Sequence, residues 1–405
     1  VYKRQVRRSA DRIVSDIRRG GDVMLEMLGR RLGGGTGERI AAGALQAAAE
    51  ALDPALRDAI EAAAANVRAV HRAQVPAPQQ VEPVPGVVGE RRWAPLRRVG
   101  CYVPGGRAPV PSTLSMTVVP AQAAGVPSIA VAAPARDDGT VDPVVLGAAA
   151  VLGIEEVWAM GGAQAVAALA YGTESIKAVQ KIVGPGNAWV TAAKVLVSGE
   201  VSIDMPAGPS EALVLADETA DPRYVAADLL AQAEHGEDSP VVLVAVGGET
   251  ADAVVAEVER AVPALERRGV IERALTDHGL VVVTGDRDEA VRFADDFAAE
   301  HLSIHLEDAA GAADRITGAG SVFVGPWAPE PVGDYASGAN HVLPTGGLAV
   351  SLGPLSTEDF GSWRQVQTLT RDGLAALRPT VSALAGAEGL TAHLAAVEVR
   401  FEETP

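Results

Sequence analysis

A glycine-rich segment at residues 333–347 concentrates most of the polar side chains that could do chemistry. Six of them stand close together: Asp334, Tyr335, Ser337, Asn340, His341 and Thr345. A segment that follows neither helical nor strand periodicity does not fill a core, and polar loops on a rigid scaffold often carry catalytic residues. A solvated surface loop is the alternative, but Asp, Asn and His with almost no Lys or Glu favour a functional site.

Two further pairs of polar residues occur where helices are predicted to end. Gln232 and His235 are three residues apart in a helical segment, which places them on one face. Glu300 and His301 close the helix predicted over 287–299 and open a strand. Histidine titrates near neutrality, so a carboxylate beside an imidazole can supply general acid–base catalysis. Without further context, Gln232 and His235 would more often be a surface pair or a helix end, and Glu300 and His301 could equally be a helix-terminal histidine with a solvated carboxylate.

The other histidines are less informative. His305 is expected to be an exposed strand residue, and His71 and His278 are expected to have no polar partners and are assigned no role. His393 lies in the C-terminal helical segment, where it could take part in chemistry only by packing over a site, in its own subunit or in a neighbouring one.

The composition excludes several functional classes. The chain has 405 residues with 34 basic and 52 acidic side chains, and the net charge of −18 argues against nucleic acid or an anionic membrane as the main partner. No apolar run approaches the roughly 18–20 residues that a membrane span needs. The single cysteine, Cys101, excludes an internal disulfide and a cysteine-built zinc site, and fits a cytoplasmic location.

The predicted scaffold is α/β. From about residue 100, β-branched runs alternate with Ala-rich helical runs, which indicates parallel sheets covered on both faces. Strands are predicted at 128–132, 156–160, 178–183, 212–216, 241–246, 280–284 and 321–325. Prolines near 206–209 interrupt the pattern, so we predict two Rossmann-like parallel-sheet domains, neither with a G-x-G-x-x-G fingerprint after a strand, and a helical C-terminal tail.

The predicted domain boundaries follow from this alternation. The first α/β domain comprises residues 6–100 and 211–355, the second comprises 101–210, and the helical tail comprises 356–405. Residues 1–5 fit no pattern and read like the translation of a sequencing-library adapter, so we expect the natural start to lie upstream.

Two glycine-containing turns could contact a phosphate or a ribose. One is the turn at 102–106, just after a strand, and the other is the turn at 184–187, just before a helix. The free N–H groups at a helix start suit an anionic ligand. Each turn taken alone is more often an ordinary connection.

Eight short motifs, in order along nearly the whole chain, resemble those of the histidinol dehydrogenase family. They are C-Y-V-P-G-G at 101–106, G-G-A-Q-A at 161–165, G-P-G-N at 184–187, A-G-P-S-E at 207–211, Q-A-E-H at 232–235, E-H-L at 300–302, G-D-Y-A-S-G-A-N-H-V-L-P-T at 333–345 and E-G-L-T-A-H at 388–393. Eight motifs in a fixed order make a chance similarity implausible.

The resemblance implies a zinc site and a substrate site. The zinc ion, one per subunit, would be held by Gln232, His235, Asp334 and His393. These four residues would also contact the substrate, together with Ser210, His301 and Glu388. Asn340 and His341 are expected near the substrate, although the role of His341 stays open.

The resemblance also implies an NAD⁺ site and an acid–base pair. The cofactor contacts would be Tyr102, Gln164 and Asn187. Glu300 and His301 would be the catalytic residues of a four-electron oxidation of L-histidinol through L-histidinaldehyde to L-histidine, with two NAD⁺. A homodimer with shared sites is implied, in which the helical tail carries Glu388 and His393 to the partner subunit. A catalytic Cys101 is disfavoured, because the resemblance points to attack by water.

Three alternatives remain at the level of sequence. The same scaffold could serve an NAD-dependent dehydrogenase of another small amino- or sulfo-alcohol. A metal hydrolase with Glu300 as the water-activating base would need no nicotinamide, and Tyr102, Gln164 and Asn187 argue against it. A non-catalytic binding protein is disfavoured by the complete set of metal and acid–base residues.

Overall fold

The computed structural model describes residues 2–105 and 109–402 and contains alternating helices and strands. The helices are α1 (Tyr2–Leu32), α2 (Ala42–Ala51), α3 (Pro54–Ala73), α4 (Pro111–Ala124), α5 (Pro143–Val151), α6 (Gly162–Tyr171), α7 (Ala188–Val197), α8 (Pro222–Ala233), α9 (Gly248–Ala261), α10 (Arg268–His278), α11 (Arg287–Phe297), α12 (Ala309–Ala313), α13 (Glu330–Tyr335), α14 (Arg371–Ala387) and α15 (Thr391–Glu398). The strands are β1 (Glu38–Arg39), β2 (Gln79–Val84), β3 (Val87–Pro95), β4 (Val99–Tyr102), β5 (Ile129–Ala133), β6 (Val157–Ala159), β7 (Lys181–Val183), β8 (Ser202–Ile203), β9 (Ala212–Ala216), β10 (Val241–Val246), β11 (Gly279–Thr284), β12 (His301–His305), β13 (Ser321–Val324) and β14 (Gly361–Leu369).

The chain divides into two compact units. The first comprises Val1–Gln74 and Leu96–Phe360, and the second comprises Val75–Pro95 and Gly361–Pro405. No helix among the described residues is long and apolar enough to cross a membrane.

The first unit contains two sheets of mainly parallel strands. One sheet has the order β1-β6-β5-β4-β7-β8, in which only β1 runs antiparallel to its neighbour, and the other is the all-parallel β11-β10-β9-β12-β13. The strands β5, β9 and β10 are continuous apolar runs, as expected for strands covered on both faces. The predicted α/β fold class with two parallel sheets is confirmed, and the proline-rich break at 206–209 falls between β8 and β9.

The N-terminal helices pack against elements of the six-stranded sheet. The helix α1 contacts α6 and α7, α2 contacts α5, and α3 contacts α4. This packing differs from the predicted grouping of residues 6–100 with 211–355. The apolar face of α1 could be recognised from its spacing, but spacing within one helix does not indicate which of two sheets will cover that face.

The order of strands in the six-stranded sheet creates an opening at the carboxyl ends of β4 and β7. From β4, the chain continues to β5 and β6 on one side, whereas β7 and β8 lie on the other side. In open parallel sheets, ligands bind beside the carboxyl ends of strands where the order reverses in this way. Tyr102 is the last residue of β4, and Gly184 follows directly after β7.

The second unit is small and contains an antiparallel sheet followed by two helices. Its three-stranded sheet has the order β14-β3-β2, and the chain then continues through α14 and α15, which pack against each other. The helical C-terminal tail is confirmed, with β14 as an additional strand before the helices.

Candidate active site

The predicted acid–base pair lies where β12 begins, beside the start of β9. Glu300 is 6% exposed and accepts hydrogen bonds from the Ser210 hydroxyl at 2.6 Å and from the Glu211 N–H at 2.9 Å, both at its Oε2 atom. His301 is 3% exposed, and its Nδ1 atom is 3.8 Å from Glu300 Oε2. The structure therefore brings Ser210, Glu300 and His301 together.

Burial shifts both members of the pair towards their neutral forms. Burial raises the pKa of Glu300 to about 8, although the hydrogen bond from Ser210 partly opposes this shift. Burial lowers the pKa of His301 to about 3, and the nearby His235 contributes in the same direction. Neither ring nitrogen of His301 has a hydrogen-bond partner among the described residues. At neutral pH, His301 is thus an uncharged imidazole able to accept a proton.

A group of potential metal ligands lies next to His301. One ligand atom each from His235, Glu330 and Asp334 can be chosen so that all lie within 4.8 Å of one another. His235 Nε2 is 3.7 Å from Asp334 Oδ2, and His301 Nε2 is 3.8 Å from Asp334 Oδ1. Imidazole and carboxylate donors at such spacing could hold a divalent cation such as zinc.

Gln232 has the orphaned polar atoms expected of a metal ligand. It lies in the last turn of α8, is 0% exposed, and accepts a hydrogen bond from the His235 N–H at its backbone oxygen. Neither its amide nitrogen nor its amide oxygen has a partner in the described part of the chain. Buried amides are nearly always hydrogen-bonded, because an unpaired one costs about 1–3 kcal/mol. The side chain therefore fits a role as a ligand.

Glu330 is a site residue that the sequence reasoning missed. It is 1% exposed, its Oε1 atom lies 3.8 Å from His301 Nδ1, and its Oε2 atom has no described partner. The signal was its spacing of four residues from Asp334, which places both carboxylates on one face of α13. It was overlooked because residues from 333 onwards were interpreted as a loop.

The two carboxyl groups on α13 are held in an environment that favours a cation. Burial raises the pKa of Glu330 well above its ordinary value, with further contributions from Asp334 and Glu300. Burial also raises the pKa of Asp334 to about 6. Acidic groups that are buried close together repel one another, so a bound cation would relieve this repulsion.

His341 lies beside Asp334, whereas the side chain of Asn340 is bonded to other parts of the scaffold. His341 Nδ1 donates to the Asp334 backbone oxygen at 3.1 Å, and burial lowers the pKa of His341 to about 4. The Asn340 amide nitrogen instead bonds the Met116 oxygen at 2.8 Å and lies 3.2 Å from the His71 Nε2 atom. Asn340 thus anchors the loop to α3 and α4, and the expectation that His71 lacks polar partners is wrong.

The expectation that His305 is exposed is also wrong. His305 is 6% exposed at the end of β12, and its Nε2 atom is 2.9 Å from Asp228 Oδ2 on α8. Because β12 lies inside the five-stranded sheet, side chains on both of its faces are covered.

The three predicted cofactor residues lie at or after the carboxyl ends of strands in the six-stranded sheet, since Tyr102 ends β4, Gln164 lies in α6 after β6, and Asn187 follows β7. The Tyr102 hydroxyl accepts a hydrogen bond from the Gly162 N–H at 3.1 Å, and Gln164 donates to the Gly33 oxygen at 3.1 Å. Asn187 is exposed and caps α7 by accepting hydrogen bonds from the N–H groups of the next turn. The remainder of the turn at 102–106 reaches Gly106, which lies outside the described residues.

Glu388 and His393 belong to the second unit. Glu388 is the C-terminal cap of α14, and His393 lies in the first turn of α15. Both side chains are exposed within that unit, so they are accessible to a ligand or to another chain.

The chain is similar to proteins of one enzyme family over almost its whole length. The family model described as histidinol dehydrogenase matches residues 2–401. The chain is 49% identical to a histidinol dehydrogenase of Natronomonas pharaonis over 98% of this chain and 94% of the relative, and 46% identical to one of Methanothermobacter thermautotrophicus over 96% and 92%.

Solved structures give the same result. A crystal structure of histidinol dehydrogenase from Elizabethkingia anophelis superposes with a TM-score of 0.94 at 37% identity, covering 97% of this chain and 92% of that one. A succinate-semialdehyde dehydrogenase from Burkholderia pseudomallei, at 15% identity and a TM-score of 0.52, shares the fold alone, over 91% of this chain and 90% of that one.

Proposed function

Because this chain belongs to the histidinol dehydrogenase family of oxidoreductases, we propose that it oxidises L-histidinol through L-histidinaldehyde to L-histidine with two NAD⁺ and one zinc ion per subunit. One observation carries the proposal. A neutral imidazole and a buried carboxyl group, His301 and Glu300, lie beside the potential ligand atoms of His235 and Asp334.

The available donors fit zinc. His235, Glu330 and Asp334 supply an imidazole and two carboxylates close to one another, and Gln232, whose buried amide has no described partner, is proposed to supply a further ligand. When bound, zinc supplies a fixed positive charge that orients the substrate, and NAD⁺ accepts the hydride. In this proposal His393 completes the zinc ligands and Glu388 contacts the substrate.

His301 acts in the first oxidation. Its unpartnered ring nitrogen accepts the hydroxyl proton of the alcohol as a hydride leaves the adjacent carbon. The lowered pKa of His301 keeps the ring unprotonated at the start of the step. Retention of the aldehyde in the site prevents the loss of a reactive intermediate.

Glu300 acts in the second oxidation. In its ionised form, it removes a proton from a water molecule while the water oxygen bonds to the aldehyde carbon, and it returns this proton to the former carbonyl oxygen to complete the hydrate. A second hydride then passes from this carbon to the second NAD⁺, and the ionised Glu300 takes the hydroxyl proton, which gives the carboxylic acid. Ser210 and the Glu211 N–H hold the carboxylate in place through its Oε2 atom, which leaves Oε1 available for water.

Tyr102, Gln164 and Asn187 are proposed to contact NAD⁺. Their support is positional, because all three lie at or after the carboxyl ends of strands in the sheet whose order reverses beside β4. We further propose that the active unit is a homodimer in which the helices carrying Glu388 and His393 serve the partner's site. The exposure of both side chains within their own unit is consistent with this arrangement. A fully active monomer would contradict it.

The zinc proposal is tested by removing and restoring the metal. Protein dialysed against a chelator should form no NADH from histidinol, and added zinc should restore the reaction. Full activity in protein shown by elemental analysis to be free of metal would contradict zinc dependence.

The division of labour between the two catalytic residues is tested with Glu300→Gln. This variant should still oxidise histidinol to the aldehyde but should fail to oxidise the aldehyde, because its amide cannot activate water. The matched control is Glu211→Gln, a neighbouring buried carboxyl that accepts the Gly346 N–H at 2.8 Å and has no proposed chemical role. Equal loss of both oxidations in Glu300→Gln would contradict the assignment.

A further inference from the structure

A buried ion pair lies beneath the turn at 184–187. It joins Lys194, on the inner face of α7, to Asp204, which follows β8, and their side chains are 3% and 0% exposed. Lys194 Nζ contacts Asp204 Oδ1 directly. The catalytic proposal uses neither residue.

The pair holds both polar groups of one residue, Gly184. Asp204 accepts the Gly184 N–H at Oδ2 over 2.8 Å, and Lys194 donates to the Gly184 carbonyl oxygen over 3.0 Å. Asp204 Oδ1 also accepts the Met205 N–H at 2.7 Å, so both carboxylate oxygens of Asp204 accept backbone hydrogen bonds. The ion pair therefore holds both the N–H and the C=O group of Gly184.

Gly184 is in turn pressed against Tyr102. Its φ of +118° is a conformation that other residues rarely adopt, and a Cβ atom at this position would lie 2.1 Å from the backbone oxygen of Tyr102. The turn can approach β4 this closely only because residue 184 is glycine. β4 and β7 are paired neighbours in the sheet, and Lys194 and Asp204 hold the turn that leads from the end of β7 to Asn187.

Stability alone does not account for such a pair. Replacing a buried ion pair by apolar residues of similar volume is often neutral or stabilising, because both charges must be desolvated. Apolar residues here would leave the N–H and C=O of Gly184 without partners. The distinctive effect of the pair is to fix the conformation of the turn.

We propose that Lys194 and Asp204 are positioning residues for the nicotinamide cofactor. The inference rests on the proposed function, in which Tyr102 and Asn187 contact NAD⁺. Neither Lys194 nor Asp204 touches the cofactor. They hold Gly184 so that Tyr102, at the end of β4, and Asn187, at the start of α7, keep the separation that the cofactor requires.

The position of Asp204 allows this role to be separated from a general structural one. Asp204 begins the segment 204–211, whose other end contacts Glu300 through the Ser210 hydroxyl. General loosening of the segment would impair histidinol binding and the Glu300 step together with cofactor binding. A role confined to the turn would weaken cofactor binding alone.

The test uses the zinc-loaded protein with Lys194→Met, Asp204→Asn and the double variant, which leaves no buried charge unpaired. We expect KM for NAD⁺ and Kd for NADH to rise about tenfold, as the loss of one hydrogen bond to a charged group predicts. KM for histidinol and kcat at saturating NAD⁺ should change less than about twofold. Binding of NADH is measured by quenching of tryptophan fluorescence, since Trp189 lies two residues after Asn187.

The matched control is Lys181→Met, which removes another lysine–aspartate pair from the same sheet. Lys181, at the start of β7, is 8% exposed in its side chain and contacts Asp359 at 3.1 Å. This variant should bind NADH with the affinity of the wild type.

Three results would overturn the inference. The first is an unchanged affinity for NADH in all folded variants. The second is a loss of histidinol binding and of kcat that equals the loss of NAD⁺ binding. The third is failure of all three variants to fold, since the pair would then be structural. A wild-type protein that neither binds NADH nor reduces NAD⁺ would overturn the proposed function as well, so the two failures are distinguishable.

Discussion

Removal of the Ser210 hydroxyl should shift the pH dependence of the second oxidation without abolishing it. The hydroxyl donates a 2.6 Å hydrogen bond to Glu300 Oε2, and this bond opposes the effect of burial, which leaves the pKa of Glu300 raised to about 8. In Ser210→Ala, the Glu211 N–H remains as a donor to the same oxygen, so the carboxyl group keeps its position.

The size of the shift follows from the strength of the lost bond. A hydrogen bond to a charged group contributes about 1.5–3 kcal/mol. Water can replace part of it because Ser210 is only partly buried, so we take the lower end of that range. Since a change of one pKa unit corresponds to about 1.4 kcal/mol, the pKa of Glu300 should rise by about one unit. At pH 7 the ionised fraction of Glu300, and with it the rate of aldehyde oxidation, should then fall about tenfold.

The assay is the pH profile of kcat with L-histidinaldehyde and NAD⁺, from about pH 6 to about pH 10, which brackets the expected midpoints. In Ser210→Ala, the midpoint should move to higher pH, and the rate should recover towards the wild-type plateau. The control is Ser198→Ala, which removes a hydroxyl that donates to the Val195 oxygen at 2.8 Å on the exposed end of α7. An equal loss of rate at every pH, with the midpoint unmoved, would refute the reasoning.

Three further changes test the metal group and the core beneath it. His235→Ala should lower zinc affinity by at least about tenfold, measured by competition with a chromogenic chelator. Glu330→Gln should raise the Tm of the metal-free protein at about pH 8 but not at about pH 4, as followed by thermal unfolding. The pKa of Glu330 is raised in the folded state, so the folded protein keeps a proton that the unfolded chain loses above the ordinary pKa of 4.5. This carboxyl group therefore makes the wild type less stable as the pH rises above 4.5. His305→Leu should lower the free energy of unfolding in urea by about 3–5 kcal/mol, because it leaves Asp228 buried without its partner.

Much of the fold could be predicted because parallel sheets leave a strong local pattern. The apolar runs at 212–216 and 241–246 coincide with β9 and β10, since strands buried on both faces are apolar at every position. The small sheet of β2, β3 and β14 was not predicted. Its strands are mostly exposed, and two of them are adjacent in sequence while the third follows about 270 residues later, so no local pattern joins them.

Site residues could be predicted where the residue types alone indicate the chemistry. They could not be predicted where their role depends on burial among other elements. Glu300 and His301 stand out in sequence as adjacent acid and base. The burial of His305 and the place of Glu330 in the site depend on which elements pack around β12 and α13, and only the structure gives those contacts. Asn340 shows the opposite error, because a polar side chain in a functional loop can be fully occupied in holding that loop.

The most direct test of the proposed chemistry is the amount of NADH formed per molecule of L-histidinol consumed, with the zinc-loaded protein and excess NAD⁺. Sequential oxidation by His301 and Glu300 predicts two NADH per histidinol, with L-histidine as the only product. One NADH per histidinol with release of free aldehyde would contradict it.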